Sequence, residues 1–225
     1  MNLVWVGGSN DGDGCDKVRV NASFMHFEVH LAEFTLEQRR HQRVRFGHPP
    51  PIMLGSAGWF GEANIENLSL SGLMIRCTQP VTIGQILGCE FSVAGAPLVD
   101  LPIQVVSRLG DVFGARFMAG PLSQILIEET LLAVMENGLA SLLTVHDRGG
   151  QKVMRILGGL NAALHNDFMH ALTRMAVVEI DLAGVSRVDA AGLTLCRLAL
   201  QQGVTLGAQS PVFTAAWLQD QASRA

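Results

Sequence analysis

The chain has 225 residues, 48% hydrophobic and 16% charged, which excludes a disordered polymer and suffices for one large domain or two small ones. Its net charge of -4 argues against binding nucleic acid or a membrane surface through the chain as a whole. No apolar run reaches the roughly 18 residues of a membrane helix. Cys15, Cys77, Cys89 and Cys196 form no CxxC pair, so neither a zinc site nor a disulfide framework is expected, and a reducing compartment fits. The first residues lack the basic run of a signal peptide, so the expected address is the cytoplasm, with no membrane insertion.

Residues 1–36 read as a flexible segment, opened by the coil-forming run Gly7-Gly8-Ser9-Asn10-Asp11-Gly12-Asp13-Gly14. Asp11 and Asp13 hint at a calcium loop, but Cys15 and Asp16 stand where such a loop needs Asp or Asn and then Gly. His26 and His30 share a helical spacing and read as a solvated turn, with no third ligand to make a metal site. Then Arg39, Arg40, Arg43 and Arg45 crowd together, and no Asp or Glu occurs from Gln38 to Gly61. An acidic chain thus carries one concentrated patch of the side chain whose planar fork fits phosphate and guanine edges.

From about 44 to 118 the apolar residues alternate. Leu68 and Leu70 share one face, then Leu73, Ile75 and Cys77 another, so the phase slips at Ser71-Gly72 and predicts a β-bulge there. Leu87 to Val93, Val99 to Val105 and Phe113 to Phe117 repeat the alternation, separated by turn signals such as Gly95-Ala96-Pro97. Short strands at this spacing predict a small barrel or sandwich. Pro121 and Gly138 bound an apolar helix whose narrow wet face holds Glu129 and Glu136. Such a helix needs cover on more than one side, so it is placed between the barrel and the C-terminal part of the chain. Beyond 140 the pattern alternates: strand 152–157, helix 161–174, strand 176–182, helix 189–202, strand 204–208 and a helix from Pro211.

Two short motifs carry chemistry. Arg39 and Arg43 form R-x-x-x-R, and Asn67-Leu68-Ser69-Leu70-Ser71-Gly72 fits [D/N]-x-S-x-x-G. With Gly114-Ala115-Arg116-Phe117, these stretches resemble the PilZ domain family over residues 37–137. The resemblance implies a six-stranded β-barrel that binds the bacterial second messenger cyclic di-GMP, with ligand contacts at Arg39, Arg43, Asn67, Ser69 and Gly72, and at Arg40 and Arg45 more weakly. The chemistry agrees, because the ligand offers two phosphates and two guanines, and arginine forks match both. Asn67 and Ser69 share a parity that points both outward, and Gly72 allows close approach.

Residues about 140–222, within a domain expected over 140–225, hold a second resemblance. Val178 to Leu193, with Gly158-Gly159 before and Val204 to Gly207 after, resembles the STAS domain family, which implies a small α/β fold. Where many members carry a phosphorylated serine, this chain has Ala190 and Ala191, so Asp189 reads as a helix N-cap and the fold as a docking surface. Cys196 sits in an apolar helix and reads as core, and no catalytic set or metal site is expected. The expected function is a cytoplasmic cyclic di-GMP effector, not an enzyme, that relays the messenger level to a protein partner through the STAS-like part. Motility and biofilm output are the expected settings. The alternative is an interaction scaffold with a degenerate barrel.

Overall fold

The structure is a computed structural model that describes residues 42–224. Asp11, Asp13, His26, His30, Arg39, Arg40 and the segment 1–36 lie outside the described residues. All described residues fall in one compact unit.

Seven strands build the first half: β1 (Val44–Phe46), β2 (Pro51–Ser56), β3 (Trp59–Ser69), β4 (Gly72–Arg76), β5 (Ile86–Phe91), β6 (Val99–Leu109) and β7 (Val112–Phe117). The neighbours run β3-β2-β5-β6-β7-β4, and β4 returns to β3. This closes a six-stranded antiparallel barrel, as the alternation predicts. Closure works because β3 is long: Trp59–Asn64 pairs with β2, and Asn64–Ser69 pairs with β4. The inward residues anticipated from the pattern are buried, among them Leu73, Ile75, Leu87, Cys89, Val99, Ile103, Val105 and Phe113. The apolar excess of these strands therefore fills one contiguous interior.

The bulge predicted at Ser71-Gly72 is not there. Ser69 pairs with Gly72 across a two-residue turn, Leu70-Ser71, so the phase change there is a chain reversal. The extra residue is Glu66, between the pairs Ile65–Ile75 and Asn67–Met74. Strand β2 was hidden by the prolines before it, although Ile52 and Leu54 alternate inward within it.

Helix α1 (Pro121–Glu136) packs on β6 of the barrel and on β8 (Ala140–Arg148) and β9 (Gln151–Leu160) beyond it. It buries Ile127, Thr130, Val134 and Met135, and Glu129 and Glu136 are exposed as expected. After β9 come a short 3-10 turn, α2 (His165–Arg174), β10 (Val177–Val188), α3 (Ala190–Gln201), β11 (Thr205–Gln209) and α4 (Pro211–Ala222). Strands β8 and β9 form a hairpin over Gly149 and Gly150, at φ 63° and 86°, a conformation that favours glycine. β9, β10 and β11 run parallel. Asp189 caps α3 by accepting from the Gly192 amide at 2.8 Å, as the sequence suggests.

The two halves share one sheet. β1 pairs with β3 on one edge (Val44–Leu68, Arg45–Asn67) and with β8 on the other (Arg45–Ser141, Phe46–Ala140). Arg45 also forks onto Asp167 of α2, with Nε 2.6 Å from Oδ2 and Nη2 3.2 Å from Oδ1.

Ala176, exposed between α2 and β10, stands in the left-handed region at φ 53°. That conformation costs an alanine about 1 kcal/mol more than a glycine. The Ala176→Gly variant should therefore melt slightly higher, stabilised by up to about 0.5 kcal/mol after the larger entropy of the unfolded glycine chain is counted. Calorimetric melting that shows a loss of stability would contradict this.

Candidate functional site

The candidate site lies on the outside of the barrel, where the second half of β3 runs between β1 and β4. The bulge at Glu66 restores the alternation so that Leu68 faces the core, fully buried, and Asn67 faces outward. Across the strands Asn67 has Arg45 on one side and Met74 on the other.

Parity suggests that Asn67 and Ser69 stand open to solvent, but Asn67 is 8% and Ser69 2% exposed. Asn67 Nδ2 lies 3.5 Å from Met74 Sδ, a weak acceptor. Its Oδ1 is buried and accepts no hydrogen bond. Gln42 Oε1, just before β1, is the other buried side-chain oxygen without a partner among the described residues. Buried acceptors are normally satisfied, and leaving one unmade costs about 1–3 kcal/mol. Each leaves an acceptor free for an incoming donor.

Ser69 is occupied locally, donating to the Gly72 carbonyl at 3.0 Å. Gly72 is held against β7: a Cβ there would lie 2.2 Å from the Ala115 carbonyl oxygen. Its lack of a side chain is thus required by strand closure. Across from Gly72 stands Arg116, exposed, which donates from Nη2 to Gln104 Oε1 at 2.9 Å. Arg43 is exposed at the start of β1, whereas Arg39 and Arg40 lie outside the described residues. Arg45 is engaged by Asp167. The fold therefore sets Asn67, Ser69 and Gly72 together at the end of β3 and start of β4, with Arg116 across from Gly72 and with Gln42 and Arg43 just before β1. Arg116 was visible only as part of a motif, and Gln42 had no signal beyond its place beside the arginines.

Asp181 of β10 lies 3.6 Å from Arg155 Nε and accepts from the Ala183 amide, so its charge is balanced structurally. Burial pushes the thiols of Cys89 and Cys196 up to about 12, which keeps them protonated and unreactive at neutral pH. Among the described residues, no group of three or more His, Cys, Asp or Glu is placed to hold a metal. No helix among them is long and apolar enough to cross a membrane.

Gly72→Ala should destabilise the barrel by about 1–3 kcal/mol, since backbone must shift to clear the Ala115 carbonyl; an unchanged melting temperature would remove the closure argument. Native protein at pH 8 should leave Cys89 and Cys196 unalkylated by iodoacetamide over the time in which the unfolded chain reacts fully, as read by peptide mass. Rapid native labelling at either would show a thiol of ordinary reactivity.

No curated protein matches the chain. The family model described as PilZ domain matches residues 37–135. Among solved structures, the PilZ domain of YcgR from Escherichia coli with c-di-GMP aligns at 17% identity and TM-score 0.38, covering 43% of this chain and 91% of that one. The Bacillus subtilis inhibitor of motility aligns at 10% identity and TM-score 0.36, covering 43% of this chain and 51% of that one. The K. pneumonia MrkH–c-di-GMP complex aligns at 17% identity and TM-score 0.37, covering 43% and 52%. The PilZ match thus falls on residues 37–135, a stretch that takes in the closed barrel and nearly all of α1.

Proposed function

We propose that the chain is a cyclic di-GMP effector whose barrel holds the nucleotide against the outer face of β3. The observation that carries this reading is the pair of unsatisfied buried oxygens, Gln42 Oε1 and Asn67 Oδ1, beside exposed Arg43 and Arg116. Guanine offers N–H donors to such oxygens, while its O6 and N7 and the phosphates accept from arginine. The R-x-x-x-R and N-x-S-x-x-G motifs and the PilZ match support the same ligand. In this reading Arg39, Arg43 and Arg40 clamp the phosphates, Asn67 reads a base edge, and Ser69 and Gly72 hold the turn beside it.

The barrel domain then covers residues 37–137, and 140–225 make a STAS-like module that docks a protein partner. Support for that module comes from its order: a β8–β9 hairpin continued by parallel β10 and β11 through helical crossovers, with Asp189 capping α3 where Ala190 and Ala191 replace hydroxyls. The module therefore works without a phosphate switch. The protein acts as a receptor, not as an enzyme. The competing reading is a scaffold whose barrel takes no nucleotide.

Calorimetric titration separates them. Wild-type protein should bind cyclic di-GMP near 1 μM, about -8 kcal/mol. Arg43→Ala and Asn67→Ala should each lose about tenfold or more, from charge-assisted and buried hydrogen bonds of about 1.5–3 kcal/mol. Hydrogen exchange should slow at residues 36–45 and 67–72 on binding. Absence of heat and of competition would favour the scaffold; saturated binding without protection at the arginines would reject this binding face.

A further inference from the structure

Away from the arginine site, the outer wall formed by β2, β5 and the adjoining parts of β3 and β6 carries an exposed trough. Strand register lines up Phe60, Gly55, Gly88 and Pro102 across the four strands. Phe60 is 71% exposed. Its ring lies over Gly55, where a Cβ would come within 3.2 Å of it. Gly88 is mid-strand, and its φ is outside the left-handed region. A Cβ at Gly88 would meet nothing nearer than the Gly55 carbonyl oxygen at 3.8 Å. Neither backbone conformation nor internal packing calls for glycine at 88, and glycine inside a strand weakens it. A bare strand glycine of this kind suits the close approach of another chain.

The next row along the same wall is acidic. Glu90 and Asp100 are directly opposite each other, and Glu62 stands one strand further on, beyond Met53. All three carboxylates are exposed. None pairs with a cation among the described residues. Directly opposed like charges destabilise a strand pair, and a cationic partner would relieve that repulsion.

We infer that this wall docks a protein segment carrying Lys or Arg beside an aliphatic or aromatic anchor. The anchor fills the trough between Phe60 and Pro102, and the cations meet Glu62, Glu90 and Asp100. Exposed aromatics at the centre of such patches carry much of the binding energy, and flanking charges set partner choice and approach rate. The same charge excludes nucleic acid and anionic membrane. It also disfavours a two-fold pairing of identical walls, which sets acidic row against acidic row.

The test places the photo-reactive analogue benzoylphenylalanine at position 60 of the full chain, with irradiation in the native cell. Mass spectrometry then identifies the cross-linked peptide. The adduct should be a net-positive segment of another protein. Its yield should fall about tenfold or more in a Glu62→Lys, Glu90→Lys, Asp100→Lys variant. A Glu62→Gln, Glu90→Gln, Asp100→Asn variant, which keeps side-chain shape and relieves the Glu90–Asp100 repulsion without lowering the melting temperature, should show a several-fold loss and so guard against misfolding of the first. The proposal is overturned by no adduct above that of an exposed control position, by adducts to segments lacking Lys and Arg, by adducts only to a second copy, or by yields indifferent to both variants. None of these outcomes depends on whether the barrel binds nucleotide.

Discussion

Three residues, Val44–Phe46, hydrogen-bond to β3 along one edge and to β8 along the other, and the continuity of the whole sheet rests on this double pairing. Helix α1, packed on β6, β8 and β9, is a second link between the barrel and the α/β layer. Through β1, one 11-stranded sheet runs from β11 to the closed barrel. Val44 and Phe46 are buried, and Arg45 between them faces out to Asp167. The Gly47 amide continues the ladder onto the Leu139 carbonyl. A short strand with both backbone edges satisfied is well held, because freeing it exposes polar groups on two neighbours at once.

That strand is also where the arginine motif ends. Arg43 directly precedes it, so whatever orders the arginines acts on a segment rooted in both halves. Asp167 already holds Arg45 with two donor contacts, at a partly exposed position where such a pair adds little stability but fixes direction.

The site owes its shape to two irregularities of β3. The extra residue Glu66 turns Asn67 outward while Leu68 stays in the core, and the tight turn after Ser69 brings Gly72 under the carbonyl of Ala115. The first irregularity aims the Asn67 side chain; the second leaves no room for one at 72. Helix α1 supports both halves from one side, since Ser186 of β10 donates to its Met135 carbonyl. Its apolar circumference is explained by contact with β6, β8 and β9, apart from its N-terminal part, where Leu122 is 79% and Ile125 49% exposed.

The amino-acid sequence by itself determined the barrel strands other than β2, α1 and, β8 apart, the later alternation of strands and helices, because period-2 and period-3.6 burial are properties of consecutive residues. It also determined the chemistry on offer, through Arg43, Asn67, Ser69 and Gly72 and the helix cap at Asp189. It did not reveal that β1 serves two sheets' worth of neighbours, since three residues carry too little pattern and pairing partners leave no local mark. It misplaced the bulge, because an inserted residue and a two-residue reversal shift the apolar phase alike, and only the register on β4 tells them apart. Burial of Asn67, the requirement for glycine at 72 and the bare trough beside Phe60 were decided by strands distant in the chain. Close approach between such strands is set by closure of the barrel, which no single segment encodes.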